Sequence, residues 1–260
     1  MSVTMEDIKK VKEMTGAGLM DVKRTLEETS GNIDDAVKIL RQKGLAKASK
    51  RADNEVKEGT VSFAQVGNKG LGLRVNCETD FVAKTDVFQQ YAIETAKMLL
   101  AANLTPGAEL PVNIDEERKA AIAKLGENVI LSEWKMLEAK GTLYNYIHMC
   151  KIVVAVDFEG NPSEEIMKNV AMQIASMNPL GLVKSDIPQD IIDRELEVYT
   201  VKAQESGKPE AVIPKIVEGM MNKFYAESIL LEQPFIFDES KKVSGLLGTA
   251  KIIAFIRIGL

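Results

Sequence analysis

The first 44 residues place apolar side chains at helical spacing among polar ones, and turns that contain glycine interrupt this pattern twice. The pattern predicts helices over residues 5–14, about 19–29 and 33–44, with Thr4 and Asn32 capping the first and the third. Together these helices predict a small three-helix module at the start of the chain.

Beyond this module the pattern changes to alternation. Residues 60–66 and 71–77 alternate between apolar and polar side chains around a glycine-rich connection, which predicts a β-hairpin. Later segments predict helices over 88–103, 115–125 and 166–175 and strands over 128–138, 142–150 and 152–158. Both halves run from strands to a helix with an alanine-rich face, which indicates an internal duplication of two α+β subdomains with antiparallel sheets.

Residues 188–228 carry a narrow apolar seam on two predicted helices. Such a seam is typical of a helical hairpin that projects as a coiled-coil arm. The tail predicts an extended segment, a short helix and a strand that returns to the second sheet. We therefore expect an α+β protein with a helical module and basic linker (1–54), core subdomain N (55–126), core subdomain C (127–187 and 229–260) and the arm.

The charge balance argues against nucleic-acid binding by the whole protein, because 33 basic and 38 acidic side chains give a net charge of −5. One stretch differs: Lys38 to Arg51 contains six basic residues and no acidic one. It is either a solvated linker or a contact for RNA or the ribosome, and both interpretations stay open. Aromatic residues do not interleave there, so base stacking has no support.

The sequence also bears on membranes and targeting. The longest apolar runs have the length of a strand, far short of a membrane span. The N-terminus lacks the charged and apolar regions of a signal peptide. We therefore expect a cytosolic protein without membrane contact.

Patterns of the common catalytic and cofactor sites are missing from the sequence. It has no Gly-x-Ser-x-Gly elbow, no glycine-rich phosphate loop before a helix and no zinc-type cluster of His and Cys. Adjacent glutamates at 116–117 and 164–165 predict solvated helix faces, because neighbouring helical positions do not face each other. We expect no catalytic residue, no metal and no cofactor, and a protein that binds partners through several surfaces.

Four single residues have an expected place. Cys77 and Cys150 lie in predicted strands and should be free thiols in the core, because disulfides are rare in a reducing compartment. Trp134 should lie in the core. His148, the one histidine, should be buried or contact a partner, since no acid is positioned to make it a base.

The segment 76–84 joins a predicted strand to a predicted helix, and its regular periodicity stops. At its tip an acid stands beside a large aromatic residue, in the run Asp80, Phe81 and Val82. Loops on a rigid scaffold often carry function. Two interpretations are open: Phe81 packs beneath its own hairpin while Asp80 caps the next helix, or the tip is a functional surface.

Residues 75–84 read VNCETDFVAK and resemble the hallmark of the bacterial elongation factor Ts family. Other stretches resemble motifs of that family in the same order: TGAGLMDVK (15–23), VAMQIAS (170–176), EGMMNKFYAE (218–227) and EQPF (232–235). The resemblance covers nearly the whole chain, and it implies a UBA-like N-terminal module and a coiled-coil arm.

The resemblance implies a guanine nucleotide exchange factor for elongation factor Tu that has no turnover chemistry of its own. Four residues would enter the GTPase domain of that partner: Thr79, Asp80, Phe81 and Val82. They would disturb its Mg²⁺ and phosphate site, so that GDP leaves and GTP can bind.

The same resemblance implies two further contacts with elongation factor Tu. The N-terminal module would contact the GTPase domain through Lys12, Leu19, Met20 and Lys23. The second subdomain, including His148, would contact a distal domain. The alternative is that Leu19 and Met20 pack inside the three-helix module. Neither direct nucleic-acid binding nor a cofactor is implied.

Overall fold

The computed structural model describes residues 3–260, apart from the side chains of residues 45 and 47. Its N-terminal module consists of three helices: α1 (Met5–Thr15), α2 (Leu19–Glu28) and α3 (Ile33–Arg51). The helices enclose a small apolar core that includes Ile8, Val11, Val22, Leu26, Ala36 and Leu40.

Both predicted helix caps are confirmed. Thr4 Oγ1 accepts a hydrogen bond from Asp7 N at 3.1 Å, while Asp7 Oδ2 accepts one from Thr4 N at 3.1 Å. Asn32 Oδ1 accepts hydrogen bonds from Asp34 N and Asp35 N at the start of α3. These bonds satisfy N–H groups that have no partner inside the helix, so local sequence is enough to set both starts.

A three-stranded antiparallel sheet in the order β1-β2-β3 forms the first core subdomain. β1 (Glu58–Val66) and β2 (Lys69–Cys77) form the predicted hairpin, and β3 (Val129–Glu138) pairs with β2. Between β2 and β3 the chain forms α4 (Asp80–Ala83), α5 (Asp86–Ala101) and α6 (Val112–Leu125). The sheet thus extends past residue 126, where we expected the second subdomain to begin.

The core of this subdomain lies between α5 and the sheet. α5 contributes a row of fully buried side chains, Phe88, Ala92, Ala96 and Leu99. Trp134 of β3 is buried as predicted, and its Nε1 donates a hydrogen bond to Leu104 O at 3.0 Å. The polar atom of this large side chain is therefore satisfied inside the core.

The second core subdomain begins with β4 (Thr142–His148), β5 (Ile152–Glu159) and α7 (Glu164–Met177). After the arm, β6 (Pro234–Phe235) and β7 (Asp238–Lys242) form a small hairpin, and β8 (Lys251–Gly259) pairs with β5. The second sheet has the order β4-β5-β8, so the last strand returns to it as predicted.

The arm is a helical hairpin, as the sequence predicted. It consists of α8 (Gln189–Glu205) and α9 (Ile213–Ser228), which pack along a seam that includes buried Ala203, Val217 and Met221.

The two subdomains share one topology. Each begins with an antiparallel hairpin, continues into a helix that covers the sheet, and adds its third strand beside the second strand after a long insertion. The insertion is α6 with its flanking loops in the first case and the arm with the β6-β7 hairpin in the second. This shared order is what an internal duplication produces.

The two sheets pack against each other through Val61, Val153 and Ile258. Gly72 of β2 lies at this contact: a Cβ there would stand 3.2 Å from Val153 Cγ1 and 3.4 Å from Ile258 Cδ1. A side chain at position 72 would be tighter than ordinary van der Waals contact, so Val153 would have to shift. The glycine at this position therefore serves sheet packing.

α3 continues through Arg51, so the prediction that it ends at Gly44 is wrong. The residues after Gly44 include alanines, lysines and an arginine, which are strong helix formers. Gly44 also lies where α3 meets α6, because a Cβ there would stand 2.9 Å from Ala123 Cβ. The glycine lets two helices approach closely and does not end α3.

Gly44→Val is expected to lower the free energy of unfolding by about 1–3 kcal/mol, because the added methyl groups overpack the contact with Ala123. Urea unfolding followed by circular dichroism measures this change. Gly44→Ala combined with Ala123→Gly moves one methyl group between the helices and should stay close to wild type. Equal stability of Gly44→Val and wild type would contradict the close contact.

Candidate functional site

Phe81 lies on α4, in the connection between β2 and α5, and its side chain faces solvent. It is 81% exposed, the largest exposed fraction of any large hydrophobic residue in the described chain. The interpretation that Phe81 packs beneath its own hairpin is therefore wrong. We call residues 79–82 the Phe81 turn.

Every polar group of Thr79 is engaged, and this anchors the first residue of the Phe81 turn. Its backbone N donates to Glu127 Oε2 at 3.0 Å, and its hydroxyl donates to Glu127 Oε1 at 2.6 Å. Its carbonyl accepts a hydrogen bond from Cys77 Sγ at 3.2 Å. The hydroxyl also accepts from Val82 N at 3.3 Å, which makes Thr79 the N-cap of α4.

Hydrogen bonds also hold the end of the Phe81 turn. Thr85 Oγ1 donates to Val82 O at 2.8 Å, and Gln89 Nε2 donates to Ala83 O at 2.6 Å. Ala83 is buried, and Val82 packs against the core of the first subdomain. Phe81 therefore projects from a base that is held on both sides.

Asp80 does not cap the next helix, so this part of the expectation is wrong. Thr85 caps α5 by accepting a hydrogen bond from Phe88 N at 3.3 Å. Asp80 Oδ2 accepts one from Lys84 Nζ at 2.7 Å. This hydrogen bond lowers the pKa of Asp80 and raises the pKa of Lys84. Asp80 is thus an ionised carboxylate next to Phe81 at neutral pH.

Glu78 and Glu127 support the Phe81 turn, and sequence reasoning missed both. β2 and β3 pair with Cys77 opposite Val129, which brings the start of β3 beside the end of β2. Knowing this register would have identified both residues, because it places Glu78 beside Glu127 and Asn128. The sequence pattern assigns residues 128–138 to the other subdomain, so it does not predict this pairing.

The side chains expected to bind the partner from the N-terminal module are all accessible. Leu19 is 49% exposed and Met20 is 74% exposed, so the alternative that they pack inside the module is wrong. Lys12 and Lys23 are also exposed, and Lys23 Nζ lies 4.0 Å from Glu27 Oε1. The module therefore presents two apolar side chains beside basic ones.

His148 ends β4 and is exposed, so the alternative that it is buried is wrong. Its Nδ1 lies 2.9 Å from Tyr146 Oη, in hydrogen-bond contact. Its neighbours Ile147 and Met149 are exposed hydrophobic residues. This end of the second subdomain is thus a second accessible apolar surface with a histidine in it.

The basic stretch from Lys38 to Arg51 is part of α3 and is no extended linker. Lys43 Nζ lies 3.3 Å from Glu28 Oε2, and Arg51 Nη1 lies 3.2 Å from Glu78 Oε1. Lys38, Arg41 and Lys50 are exposed, and the side chain of Lys47 lies outside the described part of the chain. A contact of this face with RNA or the ribosome stays a prediction.

The two cysteines are free, and they differ in burial. Cys77 is buried, and burial together with the nearby Glu127 carboxylate raises the pKa of its thiol to about 12. Cys150 is exposed and lies in the turn after β4, so its expected place in a core strand is wrong. Its left-handed backbone, with φ of 56°, is a turn conformation.

At about pH 8, iodoacetamide is expected to label the native protein at Cys150 and to leave Cys77 unmodified, because only an accessible thiolate reacts. Mass spectrometry of the intact and digested protein locates the label. Cys150→Ser should stay unlabelled until urea exposes Cys77. Rapid labelling of Cys77 in the native state would contradict its burial.

The described residues hold no group of three or more His, Cys, Asp or Glu side chains that could bind a metal ion. The adjacent glutamates at 116–117 and 164–165 are exposed on helix faces, as predicted. Across residues 3–260, no helix is long and apolar enough to cross a membrane.

Comparisons with known proteins agree with one another. A family model described as Elongation factor TS matches residues 78–260. The elongation factor Ts of Aquifex aeolicus is 40% identical over 268 residues, which cover 95% of this chain and 92% of the relative. The elongation factor Ts of Deinococcus radiodurans is 41% identical over 260 residues, which cover 97% of this chain and 98% of the relative. The elongation factor Ts of a Psychrobacter species is 40% identical over 247 residues, which cover 92% of this chain and 84% of the relative.

Proposed function

Because the chain belongs to the elongation factor Ts family, we propose that it is a guanine nucleotide exchange factor for elongation factor Tu. In this cycle it binds elongation factor Tu that carries GDP, promotes release of GDP, and leaves when GTP binds. It acts by binding alone, with no turnover chemistry of its own. Its place of action is the cytoplasm, where translation elongation proceeds.

The Phe81 turn is the part that enters the GTPase domain of elongation factor Tu. The observation that carries this proposal is the exposure of Phe81 on an anchored base. Burying the side chain in a partner recovers about 1.5–3 kcal/mol of hydrophobic free energy. Because the base is already ordered, little of this free energy is lost to ordering on binding. An aromatic residue of this kind is typical of a binding hot spot.

Thr79, Asp80 and Val82 accompany Phe81 to the Mg²⁺ and phosphate site. Bound Mg²⁺ neutralises the nucleotide phosphates, so a disturbance of its coordination removes a large part of the nucleotide affinity. Asp80 lies beside Phe81 with its carboxylate held by Lys84 Nζ at 2.7 Å, so it reaches this site as one half of an ion pair. The disturbance of the Mg²⁺ coordination weakens GDP binding.

Phe81 alone does not account for fast exchange. A release that is 1,000-fold faster needs roughly 4 kcal/mol of differential stabilisation. The N-terminal module supplies further contacts with the GTPase domain through its four accessible side chains, Lys12, Leu19, Met20 and Lys23. His148 and its neighbours contact a distal domain of the partner. By linkage, nucleotide weakens the binding of the factor as much as the factor weakens the binding of nucleotide.

Release of a fluorescent GDP analogue from elongation factor Tu tests the proposal. The loaded partner is mixed with excess unlabelled nucleotide, with increasing amounts of this protein, and release is followed by stopped-flow fluorescence. We expect acceleration that saturates with concentration. Added salt should reduce it far less than it reduces binding that depends on phosphate contacts, because the Phe81 side chain is apolar. No acceleration at any concentration would overturn the proposed function.

A further inference from the structure

Glu127 lies between α6 and β3, and its carboxylate reaches across to the end of β2. Oε2 accepts hydrogen bonds from Glu78 N at 3.1 Å and from Thr79 N at 3.0 Å. Oε1 accepts one from the Thr79 hydroxyl at 2.6 Å. Hydrogen bonds to an ionised acceptor are stronger than those between neutral groups. One side chain thus binds both amides that lead into the Phe81 turn.

The side chain of Glu78 makes the reciprocal contact, from the end of β2 to the backbone before β3. Its Oε1 accepts a hydrogen bond from Asn128 N at 2.6 Å, so each glutamate holds the backbone beside the other. Burial opposes ionisation of Glu78, but hydrogen bonds from Asn128, Asn54 and Arg51 outweigh it and lower the pKa of Glu78. The paired segments are therefore tied by two carboxylates, and neither segment can shift without breaking bonds to both.

The end of α3 joins the same junction. Asn54 Nδ2 and Arg51 Nη1 donate to Glu78 Oε1 at 3.0 and 3.2 Å. Asn128 is 1% exposed, and its Nδ2 donates to Ala52 O and Asn54 O. The exit from the N-terminal module is thus bonded to the segments that hold the Phe81 turn.

We propose that Glu127 is a positioning residue that holds the Phe81 turn in the direction from which Phe81 enters the partner. This inference rests on the proposed exchange function. Both carboxylate oxygens of Glu127 are engaged with Glu78 and Thr79, so Glu127 acts through the turn that these residues lead into. A turn without this anchor samples other directions, and only part of its population is ready to bind.

Glu127→Ala tests the inference in the GDP-release assay, with the full chain and elongation factor Tu. We expect exchange to slow by about fivefold or more, as only part of the population holds the turn correctly. Glu127→Gln should restore exchange to within about twofold of wild type, because its amide can accept from both backbone N–H groups and donate to the Thr79 hydroxyl. Glu116→Ala, an exposed glutamate on α6, is the matched control and should exchange like wild type.

A double variant shows whether Glu127 acts by positioning Phe81 or by weakening exchange in some other way. If Glu127 acts only through Phe81, Phe81→Ala with Glu127→Ala should exchange as slowly as Phe81→Ala alone, within about twofold. Losses that multiply would overturn the inference, as would a Glu127→Ala variant that exchanges like wild type. Should Glu127→Ala fail to fold, Glu127→Asp takes its place in the comparison, because its shorter side chain draws the carboxylate back from the Thr79 amide and hydroxyl.

Hydrogen exchange of the amides of residues 78 and 79 provides a readout that does not need the partner. Both amides donate to Glu127, so Glu127→Ala should speed their exchange by about tenfold or more, while the core of α5 keeps its protection. Unchanged protection would show that Glu127 does not hold the turn. Wild-type protein that fails to accelerate GDP release would instead overturn the proposed function and leave this result standing.

Discussion

Phe81→Ala is expected to slow the accelerated release of GDP from elongation factor Tu by about tenfold or more. Burial of a Phe side chain supplies about 1.5–3 kcal/mol, and a tenfold change in rate corresponds to about 1.4 kcal/mol. The loss should appear in the rate at saturating factor, since Phe81 acts where the nucleotide is bound. The measurement is stopped-flow release of a fluorescent GDP analogue across a range of factor concentrations.

The same variant should fold normally. Because Phe81 is 81% exposed, its removal is expected to change the free energy of unfolding by less than about 0.5 kcal/mol. Phe237→Ala makes the same substitution at a residue that is 60% exposed on the β6-β7 loop, and it serves as the matched control for exchange. Acceleration that survives Phe81→Ala would move the mechanism to the N-terminal module or to the surface around His148.

Phe88→Ala, unlike Phe81→Ala, is expected to lower the stability of the protein. The loss should be about 3–5 kcal/mol in the free energy of unfolding. Phe88 is fully buried in the core between α5 and the first sheet, with its ring 6.5 Å from that of Tyr91. The substitution removes buried apolar surface and leaves a cavity that the surrounding helix and sheet fill only in part. Urea unfolding followed by circular dichroism, with the transition of the first core subdomain fitted separately, measures the loss.

The folded fraction of the Phe88→Ala protein should still accelerate GDP release, because Thr79 keeps its bonds to Glu127 and Ala83, which follows the Phe81 turn, keeps its bond to Gln89. Phe88→Leu is the milder control and should cost less than Phe88→Ala, since it keeps most of the apolar volume. A Phe88→Ala protein as stable as wild type would contradict the packing described for this core.

Elements with strong periodicity or clear caps could be predicted from the sequence. The starts of α1 and α3 depend on bonds between Thr4 and Asp7 and between Asn32 and Asp35, which lie within one turn. The β1-β2 hairpin depends on alternation around a short turn. In each case the deciding contacts join residues that are close in sequence, so a pattern in a short window is sufficient.

Predictions failed where a distant segment decided the outcome. Gly44 is a residue type that often ends a helix, yet α3 continues through it, because strong helix formers follow and the glycine packs closely against Ala123 of α6. β3 has the pattern of a strand in either sheet, and only its pairing with β2 assigns it to the first. Cys150 is a different case, because the turn between His148 and Ile152 is local and the alternating run gave no sign of where β4 ends.

By itself the sequence determined the order of the longer helices and strands, the caps of α1 and α3, the arm and the motif of residues 75–84 that resembles the elongation factor Ts family, but not α4 or the β6-β7 hairpin. The tertiary structure decided that Phe81 is exposed while Phe88 is buried, and that Glu127 binds the amides of Glu78 and Thr79. The physical reason is the distance along the chain between the residues whose contacts decide each feature. Caps and periodicity express contacts within a few residues, whereas exposure and the anchoring of a loop depend on which distant segments pack around it.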